Sequence, residues 1–365
     1  MKNFITSFTV VFILLFIGET FALPRFAIKL KDKCIDCHYN PTGGIIRTED
    51  AWHWGKNTLS MFSLPDKEFI MSPRIAENIS IGLDYRTQYL YSQEKKRTDF
   101  QEMSGAIYTN FGLSKKINLT AKYDFVWALW EGYGTAHILP NNGYIKAGSF
   151  IPNYGLRIDD HTAFTRGGDF GLLSSQLNTG LIYNPFYSEA GVEAGFYISD
   201  FAFLTASAGS NLLHNRTLSK DPTYTTRLEI TPQLGKIGLL FGGSFAAAKV
   251  PIPVEMYGGF FGFGYDEFSL LAEFDQAKNI YGTDVTSSML MVEAAYGLIT
   301  GLDAVVRLDW ITPNTDFSEN DIKRFVFGFE FHPYSFIEIR PQYRLVIEDP
   351  SIDNDSFVLQ FHFWY

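Results

Sequence analysis

The strongest constraint on the fold is a two-residue alternation of apolar and polar side chains that runs from residue 77 to the last residue. It comes in runs of about 10 residues separated by turns, which is the length of a long strand. In residues 336–347, one set of alternate positions is mostly apolar and the other is charged or polar: Ile337, Ile339, Pro341, Tyr343, Leu345 and Ile347 against Glu338, Arg340, Gln342 and Arg344. Because successive side chains of a strand point to opposite faces, each run predicts a strand with one apolar and one polar face.

The apolar face is rich in aromatic residues, and the polar face carries charges of both signs on strand after strand. The chain has 34 Phe and 20 Tyr, and no long helical periodicity accounts for them. A soluble β-sandwich would bury its apolar faces against a second sheet, whereas a barrel in a membrane turns them outward to lipid. We therefore predict an all-β fold: a transmembrane antiparallel outer-membrane β-barrel that contacts outer-membrane lipid and has a polar lumen.

The spacing of the turns predicts about 16 strands over residues 76–365, with both ends of the barrel domain in the periplasm. Short turns are expected in the periplasm and longer loops outside the cell. The count takes residues 117–130 as one strand and requires another at 171–183. Between strands, residues 149–168 are expected to leave on the periplasmic side and to fold into the lumen. The charged residues that would line the passage there are Arg157, Asp159, Asp160, His161 and Arg166.

Residues 1–22 have the form of an export signal. Lys2 supplies a positive charge, residues 4–17 are apolar, and the Thr-Phe-Ala at 20–22 fits a small-residue cleavage site. The apolar stretch is shorter than the roughly 20 residues of a membrane-spanning helix. We expect a signal peptide, export in a diderm bacterium and residence in the outer membrane. The net charge of −10 argues against nucleic acid as a partner.

The 2 Cys of the chain lie in one Cys-x-x-Cys-His motif, formed by Cys34, Cys37 and His38. That spacing is the haem c attachment motif, in which the two thiols bond to the haem and the histidine binds the iron. A thioredoxin-like motif would begin a helix in a βαβ unit, and a zinc site would need further cysteines or suitably spaced histidines. We predict one covalently bound haem c in residues 23–75, with His38 as the proximal iron ligand.

The sixth ligand of the haem iron is less constrained by the sequence. His53 is the first candidate, because it is the one other histidine before the barrel, and Met61 and then Met71 follow. A methionine ligand would raise the reduction potential relative to histidine. The remaining histidines are expected to be ordinary polar residues of loops or lumen: His137, His161, His214, His332 and His362.

A signal peptide, the pair Phe26-Ala27, one Cys-x-x-Cys-His, Pro41 and a barrel of this size together resemble the fused outer-membrane cytochrome–porins, a family that includes iron-oxidising members. Specific residues carry the resemblance only over about positions 26–47. It implies that Cys34, Cys37 and His38 hold a single haem and that the chain passes electrons across the outer membrane. It also implies periplasmic cytochromes or other redox partners, with extracellular iron as the candidate substrate and Fe(II) oxidation as the candidate enzymatic activity.

Residues 23–75 are too few for a large independent core, so we expect them to pack inside the barrel as a plug. Two other functions stay open. One is a passive diffusion porin with no haem, in which the two cysteines form a disulfide. The other is a ligand-gated uptake barrel in which a haem senses the redox state.

Overall fold

The computed structural model describes residues 25–30, 33–44, 46–68, 72–158, 162–169, 172–173, 183, 187–210, 222–249, 253–280, 283–317 and 320–365. The predicted signal peptide at 1–22 and Met71 lie outside these residues. Within the described ranges, none of the helices has both the length and the apolar character needed to span a membrane.

Sixteen long antiparallel strands close into a barrel, each paired with its neighbours along the chain. The strands are β1 Ile79–Ser92, β2 Arg97–Ser114, β3 Ile117–Asp124, β4 Leu129–Leu139, β5 Gly143–Phe150, β6 Glu189–Ser199, β7 Ala202–Ser210, β8 Thr223–Ile230, β9 Ile237–Lys249, β10 Pro253–Tyr265, β11 Phe268–Lys278, β12 Thr286–Ile299, β13 Leu302–Thr312, β14 Ile322–Phe331, β15 Ile337–Glu348 and β16 Ser356–Trp364. Gln360 of β16 stands opposite Gln88 of β1, which closes the sheet. The predicted antiparallel barrel and its strand number are confirmed.

We call the end of the barrel where β1 begins and β16 ends the near end, and the opposite end the far end. Short turns join the strands at the near end, as the sequence predicts for Lys115-Lys116, Asp266-Glu267 and Thr300-Gly301. Two short strand segments, Arg74–Ala76 and Gln233–Leu234, extend the sheet there by pairing with β1 and β9.

The polar faces of the strands point into the lumen and the apolar faces point outward. On β15, Arg340 and Arg344 are 5% and 3% exposed, whereas Tyr343 is 47% exposed. Buried charges are paired across the inner wall, where Arg324 donates to Asp309 at 2.7 Å. The outer surface carries aromatic side chains such as Trp130. This is the predicted arrangement, and it follows from the two-residue side-chain period of a strand.

A turn interrupts the strand predicted over residues 117–130. β3 ends at Asp124, the turn occupies residues 125–128, and β4 begins at Leu129 and continues to Leu139. The Asp124 carboxylate accepts hydrogen bonds from the backbone N–H groups of Val126 at 2.9 Å and Trp127 at 3.0 Å. An aspartate that bonds the backbone two and three residues on stabilises a turn, and this reverses the chain within an otherwise alternating pattern.

The extra reversal moves the long connection after β5 to the far end of the barrel, which corrects its expected departure on the periplasmic side. The predicted strand at 171–183 falls mostly on residues outside the described ranges. Phe150 pairs directly with Glu189, so the barrel closes between β5 and β6 without it. β4 adds one strand and the wall passes from β5 to β6 without the strand predicted at 171–183, so the total is unchanged.

The connection after β5 folds into the lumen, as predicted. Tyr154 donates a hydrogen bond to Asp275 at 3.0 Å, and Arg166 pairs with Glu273 at 2.8 Å, both on the wall strand β11. It includes a 3-10 turn at Phe164–Arg166. Of the five residues predicted to line the passage there, Asp159, Asp160 and His161 lie outside the described residues.

Within the described residues, three short helices precede the barrel: α1 Arg25–Leu30, α2 Cys34–Cys37 and α3 Glu49–Trp54. The last continues as a π-helical turn at Gly55–Leu59, and a 3-10 turn follows at Asp66–Glu68. Thr48 caps α3, because its hydroxyl oxygen accepts the N–H of Ala51 at 3.3 Å.

Candidate functional site

Helix α1 lies inside the barrel, against the inner wall at the near end. Ile28 is 3% exposed and contacts a wall surface made of Gly238 on β9 and Gly262 and Gly264 on β10. A Cβ at Gly238 would overlap the carbonyl oxygen of Ile28. These glycines therefore allow the helix backbone to approach the sheet closely.

Two cations of α1 pair with acidic residues of the wall. Arg25 forms an ion pair with Glu330 and lies 4.0 Å from the carboxylate of Asp303. Lys29 lies 3.5 Å from the carboxylate of Glu267. Charge complementarity thus adds to the apolar contact of Ile28 in holding α1 inside the barrel.

A second attachment joins residues 56–64 to the near-end turn between β14 and β15. The N–H of Met61 donates to the carbonyl oxygen of His332 at 2.8 Å. The hydroxyl of Ser335 donates to the carbonyl oxygen of Lys56 at 2.7 Å and accepts the N–H of Leu64 at 3.1 Å. Backbone and side chain together fix this part of the segment to the barrel.

Along the chain, the Cys-x-x-Cys-His motif lies between these two attachments. Cys34 and Cys37 are the ends of α2, and neither is in a disulfide. The N–H of His38 donates to the carbonyl oxygen of Cys34 at 2.9 Å. The imidazole Nδ1 lies 3.3 Å from the carbonyl oxygen of Ile46. A carbonyl can only accept, so Nδ1 carries the proton and Nε2 keeps the lone pair that can bind a metal.

A cavity of about 530 Å³ lies in the lumen beside this motif. Its volume is within the roughly 300–1,000 Å³ range of small-molecule and cofactor sites. The N-terminal segment, the barrel wall and the connection after β5 all contribute to its lining, which includes Cys37, His38, Arg47, Met103, Arg157 and His332. The described structure thus brings two of the three predicted haem residues to one cavity, and Cys34 is buried one helical turn earlier.

Burial governs the protonation of the motif. It raises the pKa of the Cys34 thiol to about 12 and lowers the pKa of His38 to about 3. A thiol with a raised pKa is unlike the low-pKa cysteine of a thioredoxin-like motif. A neutral imidazole is the form that binds a metal.

No protein-family model matches the chain, and no curated protein sequence matches it. Solved structures do match. OprB of Pseudomonas putida in its high-pH structure is 12% identical, with a TM-score of 0.62 over 79% of this chain and 94% of that one. OmpF of Salmonella typhi in complex with daunomycin is 10% identical, with a TM-score of 0.56 over 79% and 98%. The outer membrane channel DcaP of Acinetobacter baumannii is 12% identical, with a TM-score of 0.53 over 79% and 97%.

The fold is that of the outer-membrane porins. At these identities the likeness concerns the fold alone, and it leaves about a fifth of the chain unmatched. It supports the porin-type channel, the alternative in the sequence analysis, better than it supports an electron-transfer fusion. The haem and its ligands stay predictions that depend on the chain's own residues.

The candidate sixth ligands lie away from the cavity of this porin-type barrel. His53 is exposed on α3, and neither it nor Met61 belongs to the cavity lining. The neighbouring Trp52 packs on Phe336 at 5.1 Å between ring centroids. The geometry therefore does not favour His53 or Met61 as a partner of His38.

Two histidines that the sequence analysis assigned to ordinary roles line the cavity instead, His332 and His362. The two-residue alternation could have identified His332. Arg324, Val326 and Glu330 of β14 face inward. His332 lies two residues after Glu330 and therefore faces inward as well. His362 has both ring nitrogens engaged, Nδ1 at 2.7 Å from Glu338 and Nε2 at 3.0 Å from Asp84.

Glu330, His332 and Glu338 bring their potential ligand atoms within 4.8 Å of one another. Their carboxylates are already neutralised, however. Glu330 pairs with Arg25 and Arg340, and Glu338 lies 3.3 Å from Arg340 Nε. A divalent cation would have to compete with two guanidinium groups in a buried site, so we assign the carboxylates to an ion-pair network and no cation to the cluster.

Proposed function

We propose that this porin-type barrel resides in the outer membrane and that its N-terminal segment binds one haem c in the lumen and transfers electrons across that membrane. One observation carries the proposal: His38 lines a lumenal cavity next to Cys37, with its Nδ1 directed at the Ile46 carbonyl oxygen 3.3 Å away. A metal-binding histidine commonly donates its other ring N–H in this way, which fixes its tautomer.

Cys34 and Cys37 would hold the haem by thioethers, and His38 would be the proximal ligand. When bound, the haem supplies a reversible one-electron carrier. The cavity suits the carboxylate groups of a haem, because Arg47 Nη1 and Arg157 Nε are buried there and have no hydrogen-bond partner within the described residues. Haem carboxylates are the kind of acceptor that such guanidinium atoms need.

The exposed aromatic side chains of the outer wall support residence in a lipid bilayer. The apolar band of such a barrel is about 25 Å tall, so a carrier at one rim would leave most of that distance uncrossed. The contacts of Ile28, Thr42 and Arg157 support a position for the haem segment within the barrel rather than below it: Arg157 donates to the Thr42 hydroxyl at 3.2 Å. We propose a periplasmic redox partner at the near end and an extracellular one at the far end, with iron as the candidate substrate there.

The passive diffusion porin is the second candidate, and the likeness to OprB and OmpF favours it. It requires a lumen that solutes can cross. The N-terminal segment and the connection after β5 both occupy the lumen and meet at the Arg157–Thr42 contact, which supports electron transfer over free diffusion.

A haem-peroxidase stain of denatured outer-membrane protein tests the proposal. We expect the intact chain to stain and the variants Cys34→Ser and Cys37→Ala to lose covalent haem, with His53→Ala as a control that keeps it. Proteoliposomes that hold an impermeant oxidant should oxidise an external reductant only with the stained protein. An unstained, colourless barrel that lets sugars swell the liposomes would overturn the proposal in favour of the passive porin.

A further inference from the structure

His332 is a buried imidazole on the wall of the cavity. It is 4% exposed, and both of its ring nitrogens lack a hydrogen-bond partner within the described part of the chain. Burying a polar group without a partner costs free energy, and buried side chains are normally hydrogen-bonded. An imidazole left in this state on a cavity wall is thus available to a group that enters the cavity.

The backbone holds His332 firmly in place. Its N–H donates to the carbonyl oxygen of Gly301 at 2.7 Å, and its carbonyl oxygen accepts the N–H of Met61 at 2.8 Å. The ring packs edge-on against Trp364 at 5.6 Å, and Trp364 in turn faces the guanidinium of Arg47 at 5.7 Å. Arg47 forms a β-bridge with His38. His332 is therefore linked to the motif through the side chains of Trp364 and Arg47, and the last step, from Arg47 to His38, is a backbone bridge.

Three other side chains that could bind iron are less suited. His362 has both nitrogens engaged by Glu338 and Asp84. Met103 lines the cavity, but its sulfur lies 2.6 Å from the side-chain amide of Gln360. His53 is exposed and away from the cavity.

A carboxylate lies close to the ring of His332. Glu338 Oε1 is 4.0 Å from Nε2. Histidines that bind metals usually direct the second ring N–H at a carboxylate or carbonyl, which orients the ring and increases its basicity. A partner of this kind is thus at hand for the ring nitrogen that does not bind iron.

We propose that His332 would be the second protein ligand of the iron in the haem that Cys34, Cys37 and His38 would hold. The inference rests on the proposed function and adds a consequence to it. One ligand would come from the N-terminal segment and the other from the barrel wall, so a bound haem would link the two parts of the chain.

Absorption and electron paramagnetic resonance spectra of the purified, haem-loaded full chain test the proposal. We expect the wild type to be six-coordinate and low-spin in both oxidation states. His332→Ala should turn the ferric form high-spin and let the ferrous form bind carbon monoxide, and added imidazole should restore the low-spin spectrum. The matched control His53→Ala should keep the wild-type spectrum. A His332→Ala protein that stays low-spin would overturn the assignment.

A second variant covers the case in which His332→Ala does not fold. His332→Met should fold with a low-spin haem and a higher reduction potential, because a thioether ligand favours the ferrous state. An unchanged potential in that variant would contradict the inference. Failure of the proposed function is distinguishable: it would appear as a wild-type chain without covalent haem, whereas failure of this inference alone would leave haem attached and its spin state independent of residue 332.

Discussion

Ile28 of helix α1 packs directly over Gly264 of strand β10: a Cβ at residue 264 would stand 2.5 Å from Ile28 Cγ2 and 3.1 Å from the Ile28 carbonyl oxygen. The N-terminal segment can contact the barrel wall here because residue 264 is a glycine and has no Cβ.

Gly264→Ala should therefore loosen the segment while leaving the barrel intact. Overpacking of this kind costs about 1–3 kcal/mol. Limited proteolysis of the folded protein should cut the N-terminal segment faster in this variant. Gly259→Ala on the same strand is the matched control, because its Cβ would have its nearest neighbour at 3.6 Å. Equal cleavage rates in the two variants would refute the contact.

Ser335 joins two points of the N-terminal segment through one hydroxyl. Ser335→Ala removes its hydrogen bonds to Lys56 and Leu64. At about 0.5–1.5 kcal/mol for each bond, the variant should weaken docking by about 1–3 kcal/mol. Hydrogen exchange at the Leu64 amide would measure the loss. Ser72→Ala is the control, since that hydroxyl accepts the N–H of the nearby Arg74 at 3.2 Å; a similar effect there would argue against a specific role for Ser335.

Arg166 holds the connection after β5 to the wall. Its Nη2 lies 2.8 Å and 3.0 Å from the two oxygens of Glu273, which is buried. Removing one partner of a buried pair costs about 3–5 kcal/mol, because the other charge is left uncompensated. We expect Arg166→Ala to release the connection and raise single-channel conductance in planar bilayers, and Arg166→Lys to change it less. A conductance that stays at the wild-type level in Arg166→Ala would show that the connection is held by other contacts.

Asp124 stabilises the turn between β3 and β4. Asp124→Ala should lower the free energy of unfolding by about 1–3 kcal/mol, because the N–H groups of Val126 and Trp127 both lose their acceptor. Urea unfolding in detergent micelles, followed by the mobility shift of the folded barrel on gels, would measure it. Asp124→Asn keeps an acceptor oxygen and should retain most of the stability. If its free energy of unfolding falls as far as that of Asp124→Ala, the charge of Asp124 rather than the turn is responsible.

The sequence by itself determined the barrel and its inner and outer faces, since the side-chain period of a strand is two wherever it lies in the sheet. Arg340, Arg344 and Tyr343 are on the predicted faces for this reason. It also predicted a haem site at Cys34, Cys37 and His38, because that motif is local and depends on spacing along a few residues. It did not reveal the reversal after Asp124, where an aromatic alternation continues through a turn that a single carboxylate stabilises.

Only the tertiary structure decided what surrounds the motif. His38 and His332 share a cavity because sixteen strands close into a ring and because α1 rests on glycines of β9 and β10. His53 is near the motif in sequence but exposed, while His332 is far away in sequence but buried beside the cavity. Local patterns set which face a side chain points to, whereas barrel closure sets which distant faces meet, and that depends on register and packing over the whole chain.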